Sequence, residues 1–135
     1  GVRGKERNHI HENYTIISGF FDVDEEEGNW YQWCGSPKAE IEIYNSNGEQ
    51  EGREIRLSFT LLPPPLKENV HLKVMEEGGG AIKQFIAGDN QLRLWLKPYE
   101  KKILHFCTDE MPTVGFKNDI RNLFYQISNM RAEVL

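Results

Sequence analysis

Apolar and polar residues alternate with a period of two along much of the chain, the pattern of strands that bury one face and wet the other. In Ala39-Glu40-Ile41-Glu42-Ile43-Tyr44, Ala39, Ile41 and Ile43 share one face while Glu40 and Glu42 point the other way. Residues 54–61 repeat this with Ile55, Leu57, Phe59 and Leu61 inward. Residues 91–96 set Leu92, Leu94 and Leu96 against Arg93 and Trp95. Together with shorter β-rich runs, the pattern predicts strands over 14–17, 19–23, 30–34, 38–44, 54–62, 70–75, 82–87, 91–97 and 102–107.

Turn-forming clusters separate these runs: Asn45-Ser46-Asn47-Gly48, Pro63-Pro64-Pro65, Gly78-Gly79-Gly80 and Gly88-Asp89-Asn90. Glycine supplies positive φ, Asn and Asp tolerate it, and proline offers no amide to a ladder, so each cluster should end a strand. About eight or nine short strands at this spacing predict an all-β, antiparallel β-sandwich of jelly-roll type. A chain of 135 residues holds one such core. Residues 14–135 are assigned to it, and residues 1–13, polar and almost without apolar content, to a flexible lead-in or foreign remnant. The C-terminal segment is ambiguous. Ile120, Leu123, Phe124, Ile127, Met130 and Val134 fall at near-helical spacing behind a candidate cap at Asn118 or Asp119, yet Leu123, Tyr125 and Ile127 fit a strand equally well.

Charge narrows the partners. Sixteen basic residues against 21 acidic ones give a net charge of −5, which opposes binding to a phosphate backbone, so nucleic acid is not expected. Apolar runs are as short as Ile16-Ile17 and Leu61-Leu62, far below the ~20 residues of a membrane-spanning helix. The start of the chain carries no apolar signal-peptide region and begins with Gly, so the expectation is a piece excised from something longer. The acidic block Asp22, Asp24, Glu25, Glu26 and Glu27 lacks the spacing of a calcium loop and reads as a solvated loop. Cys34 and Cys107 lie in apolar settings without zinc spacing and read as two buried thiols rather than a bridge.

No catalytic signature is present: no Gly-x-Ser-x-Gly elbow, no phosphate-cradling glycine loop and no His-Glu-x-x-His pair. His9-Ile10-His11 resembles half a metal site but has no completing ligand at a recognisable spacing, while His71 and His105 alternate outward as ordinary strand residues. Neither metal nor cofactor is expected. Glycosidic chemistry would need two carboxylates a few ångströms apart with one kept protonated, and the acidic residues here fall in loops or on outward strand faces.

The aromatic residues carry more information. Trp30, Tyr31 and Trp33 crowd one strand, Trp95 faces away from its strand's leucines, and Tyr99 follows Pro98. Rings beside polar groups suit carbohydrate, whose apolar ring face stacks while its hydroxyls take hydrogen bonds. Trp30 and Trp33 point to opposite faces, and Trp33 is assigned to the core.

Gly19-Phe20-Phe21, the acidic residues that follow, Trp30-Tyr31-Gln32-Trp33 and the strand from Ala39 to Tyr44 resemble the "Gly-Phe-Tyr, Glu, Arg-Trp" opening of β-sandwich domains in bacterial cell-envelope polymer enzymes. Those enzymes are membrane glycosyltransferases and phosphoglycerol-transferase-like proteins. Asp119-Ile120-Arg121-Asn122-Leu123 is similar to the "Asp-x-Arg-x-Leu" element opening their last strand. Gln32 stands where that pattern has Arg, and the usual Pro before Ile120 is missing. The resemblance implies that the C-terminal segment is a strand and that Asp119 and Arg121 pair at the sandwich edge. It also implies an extracytoplasmic, non-catalytic accessory module of a parent membrane protein. The expected function is binding or positioning carbohydrate, with Trp30, Tyr31, Trp33, Trp95, Tyr99 and Arg121 as candidate contacts; the alternative is a purely structural or interaction domain.

Overall fold

A computed structural model describes residues 12–46, 51–80 and 82–135, with the side chain of residue 82 outside the description. The lead-in with His9 and His11, and residues 47 and 48 of the first turn cluster, lie outside it. The described chain forms two five-stranded antiparallel sheets facing each other. Sheet A runs β1 (Tyr14–Ser18), β4 (Lys38–Tyr44), β9 (Lys101–Cys107), β6 (His71–Glu76), β7 (Ile82–Ile86). Sheet B runs β2 (Asp24–Glu26), β3 (Asn29–Cys34), β12 (Tyr125–Val134), β5 (Arg53–Leu62), β8 (Gly88–Leu96). A small ladder of β10 (Thr113–Val114) and β11 (Asn122–Leu123) closes one end.

The period-two residues do what their spacing requires. Ile41, Ile43, Leu72, Leu104 and Phe106 of sheet A meet Ile55, Leu57, Leu61, Leu96 and Ile127 of sheet B with almost no residual exposure. Phe59 ties the layers together, packing edge-on against Phe85 at 5.4 Å and tilted against Phe106 at 5.7 Å. Asn13 fastens the start of β1: it is buried, its amide donates to the Ala132 carbonyl, and its Oδ1 accepts from Ser46 N and Oγ.

The C-terminal segment is a strand. Leu123, Tyr125 and Ile127 are buried, and β12 pairs with β3 on one side and β5 on the other, so ladder partners on both edges prevail over helical periodicity. Only one short 3-10 turn, Phe116–Asn118, stands where a helix could have begun.

Three expectations need correction. No strand spans 19–23, because Gly19 turns at φ 95° against Ala39 and the segment keeps a single bridge, Phe20 to Cys34. The acidic block is not all loop, since Asp24–Glu26 pairs with Asn29–Tyr31 as a hairpin edge. β7 does end at Ile86, just before Gly88-Asp89-Asn90, but these three residues are not a turn: they open β8, pairing with Leu61, Thr60 and Phe59 in that order.

Candidate carbohydrate-binding face

The outer face of sheet B is set by register. Asp24 pairs with Tyr31, Tyr31 with Ser128, Ser128 with Thr60 and Thr60 with Asp89, so one row of outward residues crosses all five strands. The Thr60 hydroxyl donates to Asp89 Oδ1 at 2.7 Å, fixing the carboxylate at the β8 end of the row. The next row is Arg131, Ser58 and Gln91. Beyond it Glu133, Arg56 and Arg93 stand abreast, with Arg56 paired to Glu133 at 3.3 Å and Arg93 to Glu54 at 3.1 Å.

Between the first two rows the ladder breaks. The β12–β5 register shifts between Ser128 and Arg131, Asn129 takes φ 53°, and β3 no longer pairs with β12 beyond Tyr31. A bulge of this kind bends its strand and redirects side chains. It opens a groove of about 630 Å³ whose walls include Trp30, Tyr31, Ser58, Thr60, Asp89, Asn90, Ser128, Asn129 and Arg131. That volume falls within the range of small-ligand sites, ~300–1,000 Å³. The lining mixes four aromatic rings, those of Tyr14, Trp30, Tyr31 and Phe59, with hydroxyl, amide, carboxylate and guanidinium groups. Burial, then the neighbouring Asp24 and Glu26, push the Tyr31 phenol upward, so its hydroxyl stays protonated and can donate.

Of the six candidate residues, only two fall together. Trp30 and Tyr31 line the groove from opposite phases of β3: Tyr31 points outward with Trp33, whereas Trp30 shares the phase of inward Cys34 and lines the groove together with the core-facing Tyr14, Phe59 and Ile127. Trp33 lies one row away opposite Gln126, half-buried and outside the core, which corrects its assignment: Cys34 is the residue of β3 that turns fully inward. Trp95 is also on the outer face, but at the far end of β8, 57% exposed, about 20 Å from the row containing Asp89 at ~3.3 Å per residue. Tyr99 stands 71% exposed in the β8–β9 turn and belongs to neither cluster.

Arg121 is built in from both sides. Its Nε and Nη2 donate to both Asp119 oxygens at 2.8–3.3 Å, and its guanidinium lies 4.8 Å over the Phe21 ring. Phe21 in turn rests on Gly35, where an added Cβ would come within 2.5 Å of the ring. The Arg121 hydrogen bonds hold the Asp119 carboxyl down to about 2, and the hydrogen bond to Asp119 in turn pushes Arg121 upward. The pair is a structural brace at the β3 edge of the face.

Sequence reasoning missed Ser58, Thr60, Asp89, Asn90, Ser128, Asn129 and Arg131. The outward phase of Ser58, Thr60 and Ser128 was legible in β5 and β12; the convergence of the set depended on a bulge that hydropathy does not encode. Both cysteines are free thiols. Cys34 is buried, faces the Ser36 and Gly19 carbonyls at 3.2 and 3.4 Å and is pushed up by burial, while Cys107 is only half-buried.

No protein-family model and no curated protein matches the chain. Among solved structures, it is similar to one described as "CBM4 structure and function", at 11% identity and TM-score 0.41 over 90% of this chain and 86% of that one. A non-crystalline cellulose specific carbohydrate-binding module, CBM28, matches at 10% identity and TM-score 0.42, over 90% and 87%. The enzymatically active domain of bacteriophage CBA120 tailspike protein 4 matches at 11% identity and TM-score 0.38, with 91% of this chain on 19% of that one. These likenesses are too distant to assign a ligand, and none of them bears on the cell-envelope setting.

Proposed function

We propose that the outer face of sheet B binds carbohydrate, with the bulge groove as its principal subsite. The observation that carries this reading is the five-strand row from Asp24 to Asp89 beside a groove walled by Trp30 and Tyr31. Trp30 and Tyr31 offer apolar surface to a pyranose face, and Ser58, Thr60, Asn90, Ser128 and Asn129 offer donors and acceptors to its hydroxyls. Trp33 and Trp95 extend the same face in opposite directions along a polymer.

The role is binding without catalysis. The two carboxylates of the row, Asp24 and Asp89, are four strand spacings apart, about 19 Å at ~4.8 Å each, whereas glycosidic hydrolysis needs a pair within ~5–9.5 Å. As an accessory module the domain would hold polysaccharide near a cell-envelope polymer-synthesising enzyme, outside the cytoplasm and tethered through a parent membrane protein. That setting rests on the sequence resemblance alone.

The test is a titration against neutral and acidic soluble polysaccharides read by tryptophan emission. Tyr31→Ala and Ser128→Leu are expected to abolish a response that His71→Ala, on the outer face of sheet A, leaves intact. Emission unmoved by every glycan, or an equal loss in the sheet A variant, refutes the reading.

A further inference from the structure

The outer face of sheet A carries a second constellation, distinct from the groove. His105 of β9 pairs in register with Glu40 of β4, and Glu77 follows β6 with its amide donating to the Ile103 carbonyl of β9. Three neighbouring strands therefore deliver one imidazole and two carboxylates to one spot, with one potential ligand atom from each within 4.8 Å of the others. His105 Nδ1 lies 4.0 Å from Glu40 and Nε2 3.6 Å from Glu77.

Three features mark this as more than a solvated charge cluster. The His105 side chain is only 13% exposed, and its buried Nδ1 has no hydrogen-bond partner. Among the described residues no Lys or Arg pairs with Glu40 or Glu77, although Lys102 and Lys101 pair with the neighbouring Glu76 and Glu42. Glu40 is held from behind by the Ser18 hydroxyl, which donates at 3.2 Å. Two carboxylates converge on one imidazole, and no permanent cation neutralises them.

We propose that Glu40, Glu77 and His105 form a binding site for a divalent transition-metal cation of the Zn²⁺ type. Bonds of ~2.0–2.2 Å around tetrahedral zinc place ligand atoms about 3.4 Å apart, so side-chain shifts of well under 1.5 Å close the site. Glu77, 59% exposed on its long side chain, has the freedom to supply that movement. One ring nitrogen and two carboxylates leave a coordination position for water or an incoming ligand. The imidazole selects zinc-type ions over calcium, which prefers an all-oxygen shell. Ser18 acts as the supporting partner that orients Glu40. The cation would clip β4, β9 and the end of β6 together across sheet A.

The experiment is calorimetric titration of Zn²⁺ into the full chain carrying His9→Gln and His11→Gln, which removes competing imidazoles of the lead-in. One equivalent is expected to bind, with affinity falling about 10-fold or more in His105→Gln and in Glu77→Gln. Imidazole nitrogen NMR on the unmutated cluster gives a second reading that does not depend on those variants folding: Zn²⁺ should shift His105 and leave His71 unmoved, and Ca²⁺ should shift neither. Absence of binding tighter than about 100 μM, unchanged affinity in His105→Gln, or a response at His71 in place of His105 overturns the proposal.

Discussion

Trp95 offers a sharp test of how the sheet B face is built. Its indole lies over Gly52, where an added Cβ would stand 2.4 Å from Cζ2 and 2.7 Å from Cε2. In Gly52→Ala the ring must retreat by about 1 Å to regain the 3.4 Å of ordinary contact. At the lever arm of an indole this is a rotation of roughly 13°, inside one rotamer well and costing under ~1 kcal/mol. Gly52 is not in the left-handed region, so alanine also restricts the unfolded chain and returns ~0.4–1 kcal/mol. Urea denaturation should therefore show a net change within about 1 kcal/mol. The functional effect differs, because the exposed ring is displaced from its place on the sheet face. An aromatic stack contributes ~0.5–1.5 kcal/mol, so Trp95→Ala should weaken a long glycan about 2- to 10-fold, and Gly52→Ala by part of that. A short oligosaccharide confined to the groove, ~20 Å away, should bind both variants as it binds the parent protein. A stability loss above ~2 kcal/mol in Gly52→Ala would show that the indole is wedged, not poised. Equal weakening of short and long glycans in Trp95→Ala would refute the separation of the two platforms.

Phe59→Ala removes the ring that joins both layers at Phe85 and Phe106 and should cost ~3–5 kcal/mol by chemical denaturation, with binding retained in whatever fraction stays folded. Asn13→Ala leaves the buried Ala132 carbonyl without its side-chain donor and Ser46 without its acceptor, a loss of ~1–3 kcal/mol that Asn13→Asp should only partly restore. Asp119 has a folded-state value depressed to about 2 against an ordinary 3.8, so its pairing favours folding above that ordinary value and the contribution disappears as pH falls toward 2. Carboxyl NMR titration should find that low midpoint in the parent protein and a return toward 3.8 in Arg121→Gln; an unchanged midpoint would remove Arg121 as its cause.

What the sequence disclosed and what it concealed divide along a physical line. Alternation in 38–44, 54–62 and 91–97 placed the strands to within a few residues, because burial of one face leaves a period that needs no knowledge of the partner strand. Gly88-Asp89-Asn90 marked the break between β7 and β8 but hid where β8 begins: Gly88, at φ 119°, already delivers Asp89 into the ladder. Trp33 misled for a related reason. Its size favoured the core, but phase is fixed by the strand as a whole, and Cys34 at 0% exposure forces its neighbour outward.

The groove and the His105 cluster share a deeper obscurity. Each is assembled across strands far apart in sequence, such as Tyr31 with Ser128 and Thr60, or Glu40 with His105, and pairing between distant strands has no local signature. The bulge at Asn129 shows the point most clearly. A uniform β12 would pair with β5 without a register shift and present a flat, wetted sheet; a single register shift between Ser128 and Arg131 opens the ladder toward Trp30 and makes a concavity. The ligand-binding property then depends less on which polar residues the face carries than on where its hydrogen-bonded ladder is interrupted. Deleting Asn129 to restore the register should close the groove and abolish glycan binding, even with every proposed contact on β3, β5 and β8 still in place.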